Sequence, residues 1–363
     1  AGANSNEVVV SENAVWDNDG ALYLNSGISN SVSVSGATVW ADELQLSAGN
    51  EFNLNAGGAL ALRSGFDVST DGFNWNESSL LYMTNGTLNG LDVTNGAAYL
   101  NGGRNLTLND SDMNVSTTDL VIGLNGSDST LRIENGAAVT NVNGAIGQGS
   151  ESAGNAVVVT GAGSEWRNTG GKLEIGVDAG EGNGLEVSDG GWVYVGDAAE
   201  ADLTGATTNG GLAVADAGGA ELILNNEAQA DISGGLFLGT TNGHSGTVTV
   251  QSNSVLRAGT LAIEDGTLNL KKTGTLEING DFDYGDDAAK FVWEDETVLS
   301  VGGMLTRSNG LSGTQRVLNL DGGTWSPADS NVVSGTSNTV IVADSGQPVS
   351  YTHLTLPTMI IRC

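Results

Sequence analysis

Very short strands separated by glycine-rich turns recur along this chain and constrain its fold more than any other feature. Within residues 157–196, stretches with apolar first and third residues occur at 157–159, 173–175, 185–187 and 193–195. A strand this short buries two side chains on one face and cannot fold alone. Stacked on copies of itself, each strand pairs above and below, and the inward side chains form a continuous core.

The spacing of these stretches gives a period near 25 residues. Comparable segments, separated by 25, 25, 26, 28 and 37 residues, begin at Leu81, Leu106, Leu131, Val157, Leu185 and Leu222. The long last step predicts a loop inserted into one coil at residues 197–209. With about three strands per coil, the period predicts an all-β fold: a parallel β-helix, that is, a right-handed β-solenoid, clearest over residues 81–280. Asn-Gly pairs, such as Asn135-Gly136, are expected to supply positive φ angles at the corners.

Two other β folds compete with the solenoid. Asn-Gly pairs also mark hairpins, as in an up-and-down antiparallel barrel. A barrel would need strands of about 9–11 residues, and the stretches here are too short. A β-propeller would need repeats of about 40–50 residues with four strands each. The parallel solenoid therefore fits the spacing best.

Composition and charge narrow the function classes. Gly accounts for 55 of 363 residues and Pro for only 3, which favours many turns between short strands. The formal net charge of −31 disfavours nucleic acids and anionic membranes as partners. The sole cysteine, Cys363, excludes an internal disulfide and a Cys metal site. No apolar run reaches the length of a membrane helix. These features predict a soluble extracellular protein.

The last fifteen residues differ from the rest. Residues 349–363 contain no Gly, no Asn and no acid, and their SYTHLTLPT run resembles translated sequencing-adapter read-through. We therefore expect residues 1–348 to form the repeat domain and the native protein to continue beyond residue 348.

One segment resembles a known repeat. Residues 157–159 form a valine strand, followed by a Thr-Gly-Ala-Gly-Ser-x-Trp motif at 160–166, an Asn-containing turn at 167–169, and strands ending in glycine at 173–176 and 185–191. This pattern resembles the glycine-rich repeat of autotransporter (type V secretion) passengers and PEP-CTERM surface proteins. The resemblance implies a β-solenoid passenger at the bacterial cell surface, with a C-terminal translocator or sorting anchor outside this chain. It implies no catalytic residues.

Carboxylate pairs are the candidates for chemistry. Asp110 with Asp112, and Asp286 with Asp287, could serve a polysaccharide lyase or hydrolase as acid and base. A lyase would also need a basic residue near them, and the candidates at positions 104, 132 and 271–272 do not obviously converge. A chain this acidic would repel a polyuronate. Solvated surface carboxylates are the favoured interpretation.

The remaining polar candidates are weaker. His244 and Ser245 are adjacent in a turn, a poor arrangement for a catalytic triad. The acidic run at 17–20 lacks the spacing of an EF-hand, so we expect no cofactor and at most weak Ca²⁺ binding. The seven tryptophans could stack on sugars, but core packing or corner capping is favoured.

The residues therefore favour a surface-displayed structural or adhesive stalk without catalysis. Its partners would be host or matrix glycans or surface proteins, with no nucleic acid and no membrane insertion by this segment. The contact site is expected in the inserted loop, with Asp197, Glu200, Asp202 and Asn209. The second hypothesis is an extracellular polysaccharide-active enzyme, and the third is a self-associating surface-layer protein.

Overall fold

The structure is a computed structural model of the full chain. Residue placement is described for 5–25, 29–68, 72–76, 79–84, 87–89, 93–94, 97–178, 180–196, 211–215, 218–239, 245–284, 288–306, 311–314, 317–320, 324–326, 333–336 and 339–342. The predicted inserted loop, Asp286, Asp287, His244 and the divergent C-terminal segment lie outside the described residues.

Short β-strands make up nearly all the regular structure of the described residues. The first half contains β1 (Glu7–Ser11), β2 (Val15–Asp17), β3 (Leu22–Leu24), β4 (Ser31–Ser35), β5 (Thr38–Leu46), β6 (Glu51–Leu54), β7 (Ala59–Val68), β8 (Phe73–Trp75), β9 (Leu80–Thr84), β10 (Thr87–Asn89), β11 (Val93–Thr94), β12 (Ala97–Leu100), β13 (Asn105–Asn109), β14 (Asp112–Val115), β15 (Asp119–Ile122), β16 (Thr130–Glu134), β17 (Ala138–Asn141), β18 (Gly144–Ile146), β19 (Ala156–Thr160) and β20 (Glu165–Asn168).

The second half continues in the same manner. It contains β21 (Lys172–Ile175), β22 (Asn183–Ser188), β23 (Trp192–Val195), β24 (Gly211–Val214), β25 (Ala220–Asn225), β26 (Gln229–Leu238), β27 (Gly246–Val250), β28 (Val255–Ile263), β29 (Gly266–Leu270), β30 (Thr275–Ile278), β31 (Phe282–Asp283), a 3₁₀ turn (Ala288–Lys290), β32 (Phe291–Trp293), β33 (Val298–Val301), β34 (Met304–Thr306), β35 (Leu311–Thr314), β36 (Val317–Leu320), β37 (Thr324–Ser326), β38 (Val333–Thr336) and β39 (Thr339–Val342).

Parallel pairing between successive coils builds a β-solenoid with three sheets. In the first sheet, strand follows strand in register, so that one inward residue per coil forms a continuous row. The row runs through Trp16, Val39, Leu60, Leu81, Leu106, Leu131, Val157, Leu185, Leu222, Val248, Leu268 and Phe291. All the predicted segment starts lie on this row. Leu185 pairs with Leu222 although 37 positions separate them, which confirms the predicted register.

The second and third sheets repeat this arrangement. In the second sheet, Met113, Val139, Trp166, Val193 and Ala230 occupy one inward row. In the third, the inward row runs through Leu100, Ile122, Ile146, Ile175, Val214 and Leu238. The sequence therefore predicted the fold class, the coil length and the three strands per coil correctly. The right-handed winding stays a prediction, which agrees with the usual hand of parallel crossover connections.

Two features depart from this regular pairing. Strands β11 and β12 pair antiparallel, with Val93 opposite Ala98. In the first coils, β1, β4, β6 and β8 form a separate four-stranded parallel sheet. These four strands occupy the place in the coil order that the third sheet takes further along the chain.

Burial is nearly complete along the axis. Leu131, Val157 and Leu222 are fully buried, as are most other members of the inward rows. Burying one aliphatic side chain of this size contributes about 1.5–3 kcal/mol, so each coil depends on its neighbours for several such contributions. The interior of the described coils is therefore a filled aliphatic core with little space for a buried reactive centre.

Small residues allow the chain to turn between the first and second sheets. A Cβ added to Gly191 would lie 2.5 Å from the carbonyl oxygen of Val159 in the preceding coil. The equivalent positions in other coils hold Ala137, Ser164 and Ser254, each buried. The corner is therefore restricted to side chains that fit beside the backbone of the next coil.

The prediction for the Asn-Gly pairs holds in one place and fails in others. Asn135 and Gly136 have φ angles of 55° and 91°, as a tight corner requires. Asn125, Asn183 and Asn279 do not adopt positive φ. Asn183 instead begins β22 with its side chain fully buried, where its amide donates hydrogen bonds to the carbonyls of Gly180 and, in the preceding coil, Ser152. The pairs at 85, 95 and 242 lie outside the described residues.

Candidate functional surface

The predicted carboxylate pair of Asp110 and Asp112 lies on the outside of the solenoid. Asp110 is in a corner with a φ of 47°, and Asp112 begins β14. Both are exposed, with the buried Ser111 between them. Among the described residues, no Lys or Arg forms an ion pair with either carboxylate. The structure thus places the two acids near each other but not beside a base.

The basic residues considered for a lyase are held elsewhere. Arg132 pairs with Glu134 on its own strand at 2.5 Å, and Lys272 pairs with Glu296 at 3.0 Å. Arg104 lies over the Trp75 ring, 5.9 Å from its centre. These three side chains do not converge on Asp110 and Asp112. Asp286 and Asp287, Asp197, Glu200, Asp202 and Asn209 lie outside the described residues, so their roles stay predictions.

The most organised outward surface lies on the second sheet. We call it the arginine–tryptophan ladder, and its members come from five successive coils: Arg167, Trp192, Tyr194, Asp231, Arg257 and Glu277. They face outward because they alternate along their strands with inward core residues. The ladder lies on the same face as Asp112 but two or more coils further along the axis.

Aromatic rings form the first part of the ladder. The Arg167 guanidinium carbon lies 4.6 Å from the centre of the Trp192 ring and 5.8 Å from that of Tyr194. At a partly exposed site, such a cation–π contact is worth about 0.5–1 kcal/mol. The Arg167 side chain also pairs with Glu165 at 3.1 Å. One face of the Trp192 ring is therefore covered by an arginine from the preceding coil.

Hydrogen bonds connect the rest of the ladder across coils. The Trp192 Nε1 donates to Asp231 Oδ2 at 2.8 Å, and a guanidinium nitrogen of Arg257 donates to Asp231 Oδ1 at 3.1 Å. Arg257 Nε then donates to Glu277 Oε2 at 2.6 Å. Burial lowers the pKa of Arg257, but the hydrogen bonds that it donates to Asp231 and Glu277, together with their negative charges, outweigh burial and raise this pKa above its ordinary value. The ladder is therefore a set of mutually satisfied contacts that tie coils together.

A smaller cluster of the same kind lies on the first sheet. Arg63 lies 5.6 Å from the centre of the Trp40 ring, and the Trp40 and Tyr82 rings meet edge to face at 6.3 Å. Arg63 also pairs with Asp17 at 2.8 Å and with Asp42 at 3.5 Å. The hydrogen bond that Arg63 donates to Asp17 is the main cause that raises the pKa of Arg63.

The tryptophans divide between core and surface. Trp166 is fully buried, Trp75 is almost so, and Trp16 and Trp293 pack against the core. Trp40 and Trp192 are half-buried and outward, with an arginine over each ring. Core packing accounts for the first group, and the second group forms the two outward clusters.

Buried asparagines were missed by reasoning from the sequence. Asn155 and Asn183 are fully buried one above the other. Asn183 Oδ1 accepts bonds from the backbone N–H and the side-chain amide of Asn155, both at 3.1 Å. Asn183 Nδ2 donates to the Ser152 carbonyl at 2.7 Å. The spacing of these asparagines in the sequence could have revealed their burial. Asn155 lies two positions before the inward Val157, and Asn183 lies two positions before the inward Leu185, so each asparagine shares the face of that residue.

The buried indole of Trp166 has an equally specific setting. Its Nε1 donates to Asn141 Oδ1 at 2.6 Å, and Asn141 Nδ2 donates to Asn168 Oδ1 at 2.7 Å. The ring occupies space beside Gly144, where a Cβ would lie 2.9 Å from Trp166 Cζ2. The neighbouring coils carry Leu120 and Leu173 at the position of Gly144. The Ser-x-Trp motif therefore fills a gap left by a glycine one coil earlier.

Neither a metal site nor a membrane-spanning helix is formed by the residues that the structure describes. The described residues contain no group of three or more His, Cys, Asp or Glu placed to hold a metal ion. In the acidic turn at 17–20, Asp17 pairs with Arg63, and Asn18 donates to the Gly20 carbonyl at 2.7 Å. No helix of the described chain has the length and apolar character needed to cross a membrane.

Comparison with known proteins adds little to this description. No protein-family model matches the chain, and no curated protein matches it. Among solved structures, the chain is similar to the hyper-glycosylated TibA55-350 fragment, whose glycosylation is catalysed by TibC. The identity is 15%, the alignment covers 92% of this chain and 98% of that one, and the TM-score is 0.25. An overlap this weak carries no argument about function.

Proposed function

We propose that this chain is the rigid, non-catalytic β-solenoid of a bacterial surface protein, of the autotransporter-passenger kind. Its stacked coils would act as a stalk that holds an adhesive surface away from the cell. The observation that carries the proposal is the continuous inward row of the first sheet, from Trp16 to Phe291. Twelve coils at one strand spacing each give a rod on the order of 50 Å long over this row.

The outside of the solenoid supports a structural role over a catalytic one. Arg132 pairs with a carboxylate of its own strand, and Arg257 and Lys272 pair with carboxylates of neighbouring coils. Asp110 and Asp112 are exposed and have no basic partner among the described residues. The resemblance of residues 157–196 to passenger repeats points in the same direction. We propose glycans or surface proteins of the host or matrix as partners, with the inserted loop at 197–209 as the contact site.

Adhesion is tested with the purified chain on a sensor surface. The analytes are a panel of matrix glycoproteins and free glycans, and reducing-end release from acidic polysaccharides is measured in parallel. We expect binding to at least one surface and no release of reducing ends. A variant with residues 197–209 replaced by a Gly-Ser linker should lose binding and keep its far-UV β signal. The control for loop length and charge is a second variant that carries the same loop residues in scrambled order.

Two results would overturn the proposal. Cleavage of a polysaccharide by the intact chain would show that it is an enzyme, above all if Asp110→Asn abolished the cleavage. Small-angle X-ray scattering that showed a compact particle instead of a rod would contradict the proposed role as a stalk.

A further inference from the structure

Six Asn-Gly pairs lie wholly within the described residues, and their surroundings differ. The pairs begin at Asn101, Asn125, Asn135, Asn143, Asn183 and Asn279. Such a pair can modify itself, because the glycine nitrogen is close enough to the asparagine side chain to form a cyclic imide with it, and no Cβ on the glycine obstructs the approach. The reaction needs an asparagine side chain that can turn toward the backbone and a glycine N–H without a fixed acceptor. The structure therefore decides which pair reacts.

In three of these pairs the glycine N–H already donates to a neighbouring coil. Gly136 N donates to Ser164 Oγ at 3.0 Å. The glycine nitrogens of the pairs at 183 and 279 donate to backbone carbonyls at 2.9 Å and 2.6 Å. An attack by any of these nitrogens would first have to break its hydrogen bond, so the three pairs are protected.

Two further pairs are held through their asparagine side chains. Asn101 Oδ1 accepts a hydrogen bond from the backbone N–H of Leu124. Asn143 Nδ2 donates to Asp119 Oδ1 at 2.9 Å, and the glycine that follows Asn143 is buried at the start of β18. Rotation of either asparagine side chain toward its glycine would break these contacts.

The remaining pair, Asn125-Gly126, has neither restraint. It lies in the corner between β15 and β16, where Asn125 is exposed. Among the described residues, no acceptor bonds the Gly126 N–H, and no hydrogen bond holds the Asn125 side chain. The Gly126 carbonyl, in contrast, accepts from the buried Asn155 Nδ2 at 3.0 Å. The glycine is thus fixed through its carbonyl, while its nitrogen stays available.

We propose that Asn125 is a site of self-modification, at which the folded chain deamidates through a cyclic imide. The Gly126 nitrogen attacks Asn125 Cγ, and the bond between Cγ and Nδ2 breaks. The amide leaves as ammonia, which carries the proton lost by the Gly126 nitrogen. Water then opens the imide at either carbonyl and leaves aspartate or isoaspartate at position 125. The inference rests on this corner alone and does not depend on the proposed adhesive function.

The product changes a corner that is tied to the buried asparagines. Both forms add one negative charge to a chain that is already acidic. Isoaspartate also adds a methylene to the backbone directly before Gly126, whose carbonyl accepts from Asn155. Asn155 in turn donates to Asn183 of the next coil at 3.1 Å. We therefore expect the isoaspartate form to unfold at a lower urea concentration than the unmodified chain.

The test is incubation of the full chain at physiological temperature in buffers of rising pH, followed by peptide mapping with mass spectrometry. A converted asparagine is identified by the mass gained when its NH₂ group is replaced by OH. In the folded chain, Asn125 should convert at least about tenfold faster than the other five asparagines, the factor expected for one hydrogen bond that must break first. The rate should rise with pH, because the attacking nitrogen must lose its proton.

Two controls separate the effect of the fold from that of the sequence. In guanidinium chloride all six pairs lose their contacts and should convert at similar rates. In the folded chain, Asn125→Gln lengthens the side chain by one methylene, which slows ring closure, and should remove the early product. Asn135→Gln makes the same change at an exposed asparagine whose glycine N–H is bonded, and should leave the early product unchanged.

Three results would overturn the proposal. The first is an unmodified Asn125 in the folded chain under conditions in which the unfolded chain converts it. The second is conversion of Asn135 or Asn279, which are also exposed, as fast as that of Asn125, because the bonded glycine nitrogens would then give no protection. The third is the early product in a folded Asn125→Gln variant, which would place the modification at another residue.

Discussion

The fit between Gly144 and Trp166 gives the sharpest test of how neighbouring coils depend on each other. Gly144 lies in a row that holds leucine in the adjoining coils, and Trp166 lies in a row that holds Val139 and Val193. Three variants test this fit by replacing each residue with the type found in its row: Gly144→Leu, Trp166→Val, and the double variant with both changes. The double variant restores at both positions the residue types that the same rows carry in the adjoining coils.

Distances at the site set the expected magnitudes. A Cβ on Gly144 would lie 2.4 Å from Asn168 Oδ1 and 2.7 Å from Leu173 Cδ1, so Gly144→Leu should cost at least the roughly 1–3 kcal/mol of an overpacked core. Trp166→Val empties most of the volume of a buried indole, for which truncations cost about 3–5 kcal/mol. It also leaves the Asn141 Oδ1 without its donor, a further cost of about 1–3 kcal/mol.

The double variant should recover the packing part of these losses and not the lost hydrogen bond. We expect it to be less destabilised than the sum of the single variants by about 2 kcal/mol, within the usual range for residues in contact. Urea unfolding followed by far-UV circular dichroism gives the free energies. Hydrogen exchange over β17, β18 and β20 shows whether the opening is local, since solenoids need not unfold in one step. Free energies that add within about 0.5 kcal/mol, or a Gly144→Leu variant as stable as the wild type, would refute the packing described here.

Four further predictions concern other parts of the solenoid. Asn183→Ala should destabilise the chain by about 1–3 kcal/mol, because the buried amide and N–H of Asn155 lose their acceptor; the urea midpoint measures this. Arg257→Gln should cost less than about 1 kcal/mol, since the side chain is 39% exposed, and the difference in melting temperature from the wild type should shrink at high salt. Asp110→Asn with Asp112→Asn should change stability by no more than about 0.5 kcal/mol, as expected for exposed carboxylates, and a larger loss in urea unfolding would indicate a missed contact. Deletion of residues 197–209 should leave the far-UV β signal intact, and loss of that signal would show that the loop is structural.

The repeating aliphatic pattern made the fold predictable. A slip of one residue in register turns every inward side chain outward, so Leu106, Leu131 and Val157 could occupy equivalent positions in only one way. For the same reason the equivalence of Leu185 and Leu222 was predictable although 37 positions separate them, because each begins a stretch with the same alternation of apolar residues. The coil length followed from counting, with no need for side-chain detail.

The polar interior was not predictable from the same pattern. An Asn-Gly pair has the same sequence in both settings. Its asparagine can lie in a corner with a positive φ, as Asn135 does, or be buried beneath the asparagine of a neighbouring coil, as Asn183 is. The difference depends on which residue of the next coil stands beside it. Likewise, the hydrogen bond between Trp192 and Asp231 joins residues 39 positions apart. This separation exceeds one coil of about 25 residues, so the sequence alone does not show that the two residues are neighbours.

The distribution of charge determines how such a solenoid can associate. Acidic residues greatly outnumber basic ones, and Arg63, Arg167 and Arg257 are used within outward clusters that join coils of the same molecule. The sides of the rod therefore stay acidic and oppose side-by-side packing. Association through the sides would therefore need a change in the surface charge itself, or its screening by salt.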